Sequence, residues 1–295
     1  MTPDTFIIGG DSLIGQTLAG ALTASGQAVC VTTRKQDTTG KGRLYLDLDL
    51  APENWPELPK EGIWVLCAAV ARLGKCAATP EGSRRINVGA MTALATAGVE
   101  AGAHVLFLST DKVFDGTEAC CGTADQRNPV TEYGRQKAEA EQNILALGDN
   151  VGVVRLTKVL DSGLALFKGW VESLGLGQPI QAYRDMTMAP VSLETVVHVL
   201  SQAAAKRMGG ILQVSGPRDV SYEDAARHFA RRLGADSVLV QATETPRDKD
   251  TPETPPRHTT MDTRRLAEEF GINISDAFDV LDDVYGLVKS DYKER

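Results

Sequence analysis

An α/β fold built on a doubly wound parallel sheet is predicted by three features of the chain. Short apolar runs alternate with longer stretches of helical apolar spacing. The first run ends in paired glycines and leads straight into a helix. No segment approaches the ~18 uninterrupted apolar residues of a membrane span.

The elements follow in order. Thr5 to Ile8 is a strand feeding a turn at Gly9-Gly10, and Leu13 to Ser25 is a helix closed by Gly26. Ala28 to Thr33 is a second strand, Arg43 to Leu46 a third and Ile63 to Ala69 a fourth. Arg84 to Ala103 is a long Ala-rich helix and His104 to Ser109 a fifth strand. Thr131 to Leu147 is a helix and Val151 to Leu156 a sixth strand. This alternation implies a parallel sheet covered on both faces. After Thr157 the rhythm loosens. Leu193 to Lys206 reads as helix and Gly210 to Ser215 as strand. Ser221 caps a helix running to Leu233, with Glu223 and Asp224 in its first turn. Thr243 to His258, with four prolines, is a loop. Thr263 to Phe270 and Ile274 to Leu287 are short helices.

Composition narrows the function. The 295 residues are 42% hydrophobic, enough for a sizeable core, and carry a net charge of -8. No basic run is present, so nucleic acid and anionic membranes are not expected partners. The five cysteines, Cys30, Cys67, Cys76, Cys120 and Cys121, fit no zinc or redox spacing and read as reduced thiols. His104, His198, His228 and His258 are scattered, and no metal site is expected. Trp64 and Trp170 read as packing residues. The first residues lack the basic flank and apolar length of a secretory leader, so a cytoplasmic protein is expected.

The glycine turn, Gly9-Gly10-Asp11-Ser12-Leu13-Ile14-Gly15, carries the first chemistry. Glycines there let the main chain approach a pyrophosphate, and the helix after them turns its free N–H groups and positive dipole end on the phosphates. In the context strand-turn-helix this is a nicotinamide dinucleotide site of Rossmann type, the alternative being an ordinary tight turn. Strand two ends in Thr33-Arg34 rather than an acid. Hydroxyl and cation suit a 2′-phosphate, so NADP, as NADPH, is the expected cofactor, with NAD the alternative. Asp47 or Asp49 would contact the adenine edge.

Tyr133 and Lys137 lie four apart on one helix face. A lysine ammonium one turn away lowers a tyrosine pKa, and the pair can pass a proton to or from a carbonyl or alcohol oxygen. Thr110, ending strand five, can orient that oxygen.

Gly9, Gly15, Thr110, Tyr133 and Lys137 together resemble the extended short-chain dehydrogenase/reductases. Ser109-Thr110-Asp111-Lys112-Val113-Phe114-Asp115-Gly116, Ile86-Asn87-Val88 and Met261-Asp262-Thr263-Arg264-Arg265-Leu266 resemble the dTDP-4-dehydrorhamnose reductase branch. The resemblance implies Tyr133 as proton donor, Lys137 as its electrostatic partner and ribose contact, and Thr110 as the clamp on the substrate oxygen. It puts Cys67-Ala68-Ala69 beneath the adenosine and ribose, and Asp111, Lys112 and Arg184 at the substrate, Arg184 as a diphosphate ligand. Arg155 is expected near the same place. It also implies a homodimer through the long helices. Three positions depart from the branch: Ser12 for its middle glycine, Lys112 for a tyrosine, and Cys67 for an asparagine.

The sequence thus predicts a Rossmann-type dinucleotide domain over residues 1–157. Residues 158–295 are mainly a smaller α/β substrate lobe, with segments returning to the sheet. The expected activity is NAD(P)-dependent reduction of a 4-keto group on a nucleotide-linked sugar. Two alternatives stand beside it. Asp111-Lys112 resembles the pair of sugar-nucleotide 4,6-dehydratases that invert C5. The regulatory β subunit of methionine adenosyltransferase resembles the same branch, which makes a non-catalytic NADP-binding partner protein the other.

Overall fold

The computed structural model describes residues 3–161, 163–246 and 255–293. The chain divides into two compact units. The first comprises Met1–Phe114, Gln126–Arg155 and Val196–Gln213, and the second Asp115–Asp125, Leu156–Thr195 and Val214–Arg295.

The chain opens with β1 (Thr5–Ile8), α1 (Leu13–Ala24), β2 (Val29–Thr33), β3 (Arg43–Tyr45) and β4 (Ile63–Leu66). Next come α2 (Leu73–Ala78), α3 (Pro80–Arg84), α4 (Met91–Glu100), β5 (His104–Thr110), α5 (Glu132–Leu145) and β6 (Val151–Leu156). They are followed by β7 (Val159–Leu160), α6 (Ala165–Gly175), β8 (Ile180–Tyr183), β9 (Thr187–Met188), β10 (Val191–Ser192), α7 (Leu193–Ala205) and β11 (Gly210–Val214). The last are β12 (Val220–Ser221), α8 (Tyr222–Leu233), β13 (Val240–Thr243), α9 (Arg264–Phe270) and α10 (Ala277–Lys293).

Seven strands form one sheet in the order β11-β6-β5-β4-β1-β2-β3. β1 pairs in parallel with β2 and β4, β2 with β3, and β4 with β5. The order reverses at β1, the switch point where an open parallel sheet leaves a crevice beyond its strand ends. Every residue of β1, β5 and β6 is buried, which explains their mainly apolar character. Trp64 packs edge-on to Phe6 at 5.2 Å, inside a core that Leu94, Ala95 and Ile144 close from the helices.

The helix expected over 84–103 starts earlier and is not uniform. Pro80 opens α3, a π-helical turn follows at Arg85–Ala90, and α4 then runs to Glu100. Pro80 explains the start, because a proline at the first helical position loses no intrahelical hydrogen bond.

In the second unit α6, α8 and α10 pack around Phe167, Trp170, Phe229 and Leu281, with the Phe167 and Phe229 rings 5.2 Å apart. β8 pairs in parallel with β13, and Ser221 caps α8 by accepting from the Asp224 amide at 2.9 Å. The loop expected over 243–258 lies partly outside the described residues, at 247–254. Asp219 fixes the segment after it, accepting from the Thr259 amide at 2.7 Å and hydroxyl at 2.9 Å. α2, α6 and the β8–β13 pair have no counterpart among the sequence-predicted elements. Among the described residues no helix is long and apolar enough to cross a membrane.

Candidate active site

The turn after β1 is shaped by contacts that exclude side chains. Gly9 has φ +92°, and a Cβ there would stand 2.7 Å from the Ala68 amide nitrogen. A Cβ on Gly15 would meet the Gly9 carbonyl oxygen at 2.4 Å. Both demand glycine because the clashing atoms are backbone. Ser12 caps α1: its hydroxyl accepts from the Gly15 amide at 3.1 Å and donates to the Gly9 carbonyl at 2.7 Å. The serine in place of the usual middle glycine therefore ties the loop to the helix. In the first turn of a helix the amides of Leu13 and Ile14 have no intrahelical acceptor. Together with the dipole they form the cradle a pyrophosphate needs, and the fit of the dinucleotide to this loop rests on it.

A cleft of about 380 Å³ adjoins the turn. It is lined by Gly9, Asp11 and Ser12, by Thr33 and Arg34, by Asp47 and Asp49, and by Ala68 and Ala69, so most of the sequence-predicted cofactor residues meet here. Arg72 and Lys75 also line it and escaped the sequence reading. Their signal was two cations just after the Cys67-Ala68-Ala69 strand end. Thr33 does not present a free hydroxyl. It donates to the Asp11 carboxylate at 2.9 Å.

The second half of the site gathers at the ends of β4 and β5. Thr131 caps α5, accepting from the Gly134 amide at 3.1 Å, and so fixes the turn that carries Tyr133. The chain after β5 runs against that turn. A Cβ on Gly134 would fall 2.1 Å from the Lys112 carbonyl oxygen. Thr110 donates to Asp111 Oδ1 at 2.9 Å, and Lys112 Nζ to Asp111 Oδ2 at 2.6 Å. Thr110, Asp111 and Lys112 are thus one network beside the helix start.

Lys137 is buried, with Nζ donating to the Leu108 carbonyl and lying 3.8 Å from the Phe107 ring centroid. Burial lowers its pKa to about 7, although the Glu141 and Cys67 charges favour the ammonium. Tyr133 departs from expectation. Its pKa is raised, first by burial, then by the Asp111 carboxylate and by Cys76. The lowering expected from Lys137 is absent, because the lysine turns to Leu108 and the nearest strong field on the phenol is anionic. Burial also pushes the Cys67 thiol up to about 12, so it is an inert thiol rather than a nucleophile.

A buried amide pair joins the two halves. Asn87, in the π-helical turn, accepts from the Val70 amide at 2.8 Å and donates to the Val70 carbonyl at 3.0 Å. Its Nδ2 also donates to Gln136 Oε1 at 2.8 Å. Val70 lines the cleft, and Gln136 stands on α5 between Tyr133 and Lys137.

One arginine lies elsewhere than expected, and the other lies in the second unit. Arg155 is 1% exposed and ion-paired with Glu141 at 2.8 Å, so it is a core residue and not a substrate contact. Arg184 is exposed in the second unit, where its guanidinium donates to the Ala242 carbonyl at 3.2 Å. Among the described residues no group of three or more His, Cys, Asp or Glu could hold a metal ion.

Known proteins are similar to this chain. The probable low-salt glycan biosynthesis reductase Agl14 of Haloferax volcanii is 26% identical over 277 residues, 90% of this chain and 92% of that protein. The dTDP-4-dehydrorhamnose reductase of Mycolicibacterium smegmatis is 26% identical over 291 residues, 96% and 85% of the two chains. Among solved structures, MoeE5 in complex with UDP-glucose and NAD superposes with a TM-score of 0.81 at 21% identity, covering 98% of this chain and 99% of that one. The family model of the RmlD substrate binding domain matches residues 4–285, and the chain belongs to that family, within the extended short-chain dehydrogenase/reductases.

Proposed function

We propose that the protein is an NAD(P)-dependent oxidoreductase that reduces the 4-keto group of a nucleotide-linked sugar. The observation that carries the reading is the presence, in one compact unit, of the cleft beside the Gly9 turn and of Thr110, Tyr133 and Lys137. The names of the relatives, a glycan biosynthesis reductase and a dTDP-4-dehydrorhamnose reductase, support it.

A bound nicotinamide would supply the hydride. Gly9, Ser12, Leu13, Ile14 and Gly15 would hold its pyrophosphate, and Ala68 and Ala69 its ribose wall. The chain's own groups do the rest. Thr110 orients the substrate oxygen through its hydroxyl. Tyr133 holds the proton that this oxygen takes up, and its raised pKa keeps it protonated at neutral pH. Lys137 would anchor the ribose side, its Nζ oriented by the Leu108 carbonyl. The reading includes a homodimer, resting on the family resemblance, and a cytoplasmic location, resting on the character of the first residues.

The test is turnover of reduced nicotinamide with a panel of dTDP-, UDP- and GDP-linked 4-keto sugars. Oxidation of the cofactor with one of them supports the reading, and none with any of them overturns it. The 2.6 Å Asp111–Lys112 pair favours a second reading, elimination across C5 and C6 with the cofactor recycled. A dehydrated sugar formed with no net change in cofactor oxidation state would establish that alternative.

A further inference from the structure

The Asp11 side chain is turned back onto the neighbouring strands. Its Oδ2 accepts from the Thr33 hydroxyl at 2.9 Å and from the Arg34 main-chain amide at 3.2 Å. Its Oδ1 accepts from Arg43 Nη2 at 2.7 Å. A hydroxyl, an amide and a guanidinium therefore converge on one anion, the donor set a phosphate monoester would use. The sheet sets this arrangement. Val31 is in register with Arg43, and Thr33 with Tyr45, so β2 and β3 present the donors side by side. Partial burial acts to raise the Asp11 pKa, but the bonds from Thr33, Arg34 and Arg43 outweigh it and hold the carboxyl below its usual range. The group is a permanent anion at the wall of the dinucleotide cleft, which Asp11, Thr33 and Arg34 all line.

We propose that Asp11 sets the cofactor selectivity of this site, accepting the adenosine ribose hydroxyls and excluding a 2′-phosphate, so that the chain takes NADH in preference to NADPH. The inference rests on reading the cleft as a dinucleotide site. It reverses the preference that Thr33 and Arg34 suggest by residue type. The Thr33 hydroxyl and the Arg34 main-chain amide would serve a 2′-phosphate only if nothing else claimed them, and Asp11 claims both, while the Arg34 side chain is not among its donors. A second anion on the same donors would lie against the carboxylate, and like charges a few ångströms apart repel strongly where solvent is partly excluded. A carboxylate accepts about four hydrogen bonds, and three are used here, so capacity for a ribose hydroxyl remains. Arg43 tempers the effect. Its Nε is buried without a partner, so the guanidinium is only partly satisfied by Asp11.

Equilibrium binding of NADH and NADPH to the wild type, Asp11→Asn and Asp11→Ser decides the matter. AMP and adenosine 2′,5′-bisphosphate serve as probes that lack the nicotinamide. The wild type is expected to bind NADH at least about ten-fold more tightly than NADPH, and both variants to shrink that ratio by about ten-fold or more. AMP affinity is expected to fall alongside that of NADH, since both carry the ribose hydroxyls that Asp11 accepts, and a single cooperative unfolding transition shows that the variants keep their fold. Arg43→Gln, which leaves the carboxylate uncompensated, widens the ratio. Tighter NADPH binding by the wild type, or a ratio that both Asp11 variants leave unchanged, overturns the proposal and leaves the dinucleotide reading standing. Failure of the wild type to bind either cofactor removes that reading and this proposal together.

Discussion

Arg155 grips Glu141 through two parallel hydrogen bonds, Nε to Oε1 at 3.0 Å and Nη2 to Oε2 at 2.8 Å, with both side chains out of solvent. Arg127 reaches the same carboxylate at 3.4 Å, and Gln213 takes the remaining Arg155 donor at 3.1 Å. Removing one partner leaves the other charge buried and uncompensated. Glu141→Gln or Arg155→Met is therefore expected to cost about 3–5 kcal/mol of stability, measured by denaturant unfolding. A loss below about 1 kcal/mol would place the pair in a solvated setting instead.

Tyr133→Phe removes the only proton the proposed reaction takes from that side chain. Turnover is expected to fall by about 10²–10⁴, with cofactor affinity unchanged within a few-fold. Near wild-type turnover in that variant would remove Tyr133 from the mechanism.

Lys137 makes stability depend on pH in an identifiable window. Its folded-state pKa is lowered to about 7, below the ordinary lysine value. Across that interval the unfolded chain holds the extra proton, so stability rises with pH, and the penalty is fully present below the folded value. Lys137→Met is expected to stabilise the unliganded protein at pH 6 by about 1–3 kcal/mol, with the difference shrinking toward pH 9. A difference that stays constant between those pH values would show that the amine does not titrate in this range.

The Asp111 carboxylate raises the Tyr133 pKa, after burial, and Lys112 partly neutralises that carboxylate. Asp111→Asn is expected to move the alkaline limb of the pH–rate profile to lower pH. Lys112→Ala is expected to move it higher, by about half a unit or more in each case. Shifts of the same sign in both variants would rule out an electrostatic effect on the phenol.

Gly15→Ala drives a methyl group into the Gly9 carbonyl oxygen. Loss of the thermal stabilisation given by reduced nicotinamide cofactors is the expected result, since a ligand at about 100 times its Kd adds about 2.7 kcal/mol. Retained stabilisation in Gly15→Ala would show that the loop relaxes at little cost.

The first half of the fold was legible because its strands are buried on both faces and its helices amphipathic, two periods that local sequence records directly. Gly9, Gly15 and the Tyr133–Lys137 spacing were legible for the same reason, as each acts within one turn. Legibility failed where a role depends on residues far apart in the chain. Arg155 is expected near the substrate from sequence because its partner, Glu141, lies on another element. The Tyr133 field was misjudged because the turn after β5 brings Asp111 against α5, while Lys137 faces Leu108. In the second unit, Ile180–Tyr183 is too short to declare itself without its mate, Val240–Thr243.

The Asn87 amide has a wider consequence. It bonds one wall of the cleft to the helix that carries Tyr133, the proposed proton donor, through Val70 on one side and Gln136 on the other. Hydride and proton must reach adjacent atoms of one carbonyl, so an error in the spacing of their sources is fatal to the reaction. The strap fixes that spacing without touching either reactant. Loops outside the strap can then change in length and sequence while the proposed sources of hydride and proton stay in register.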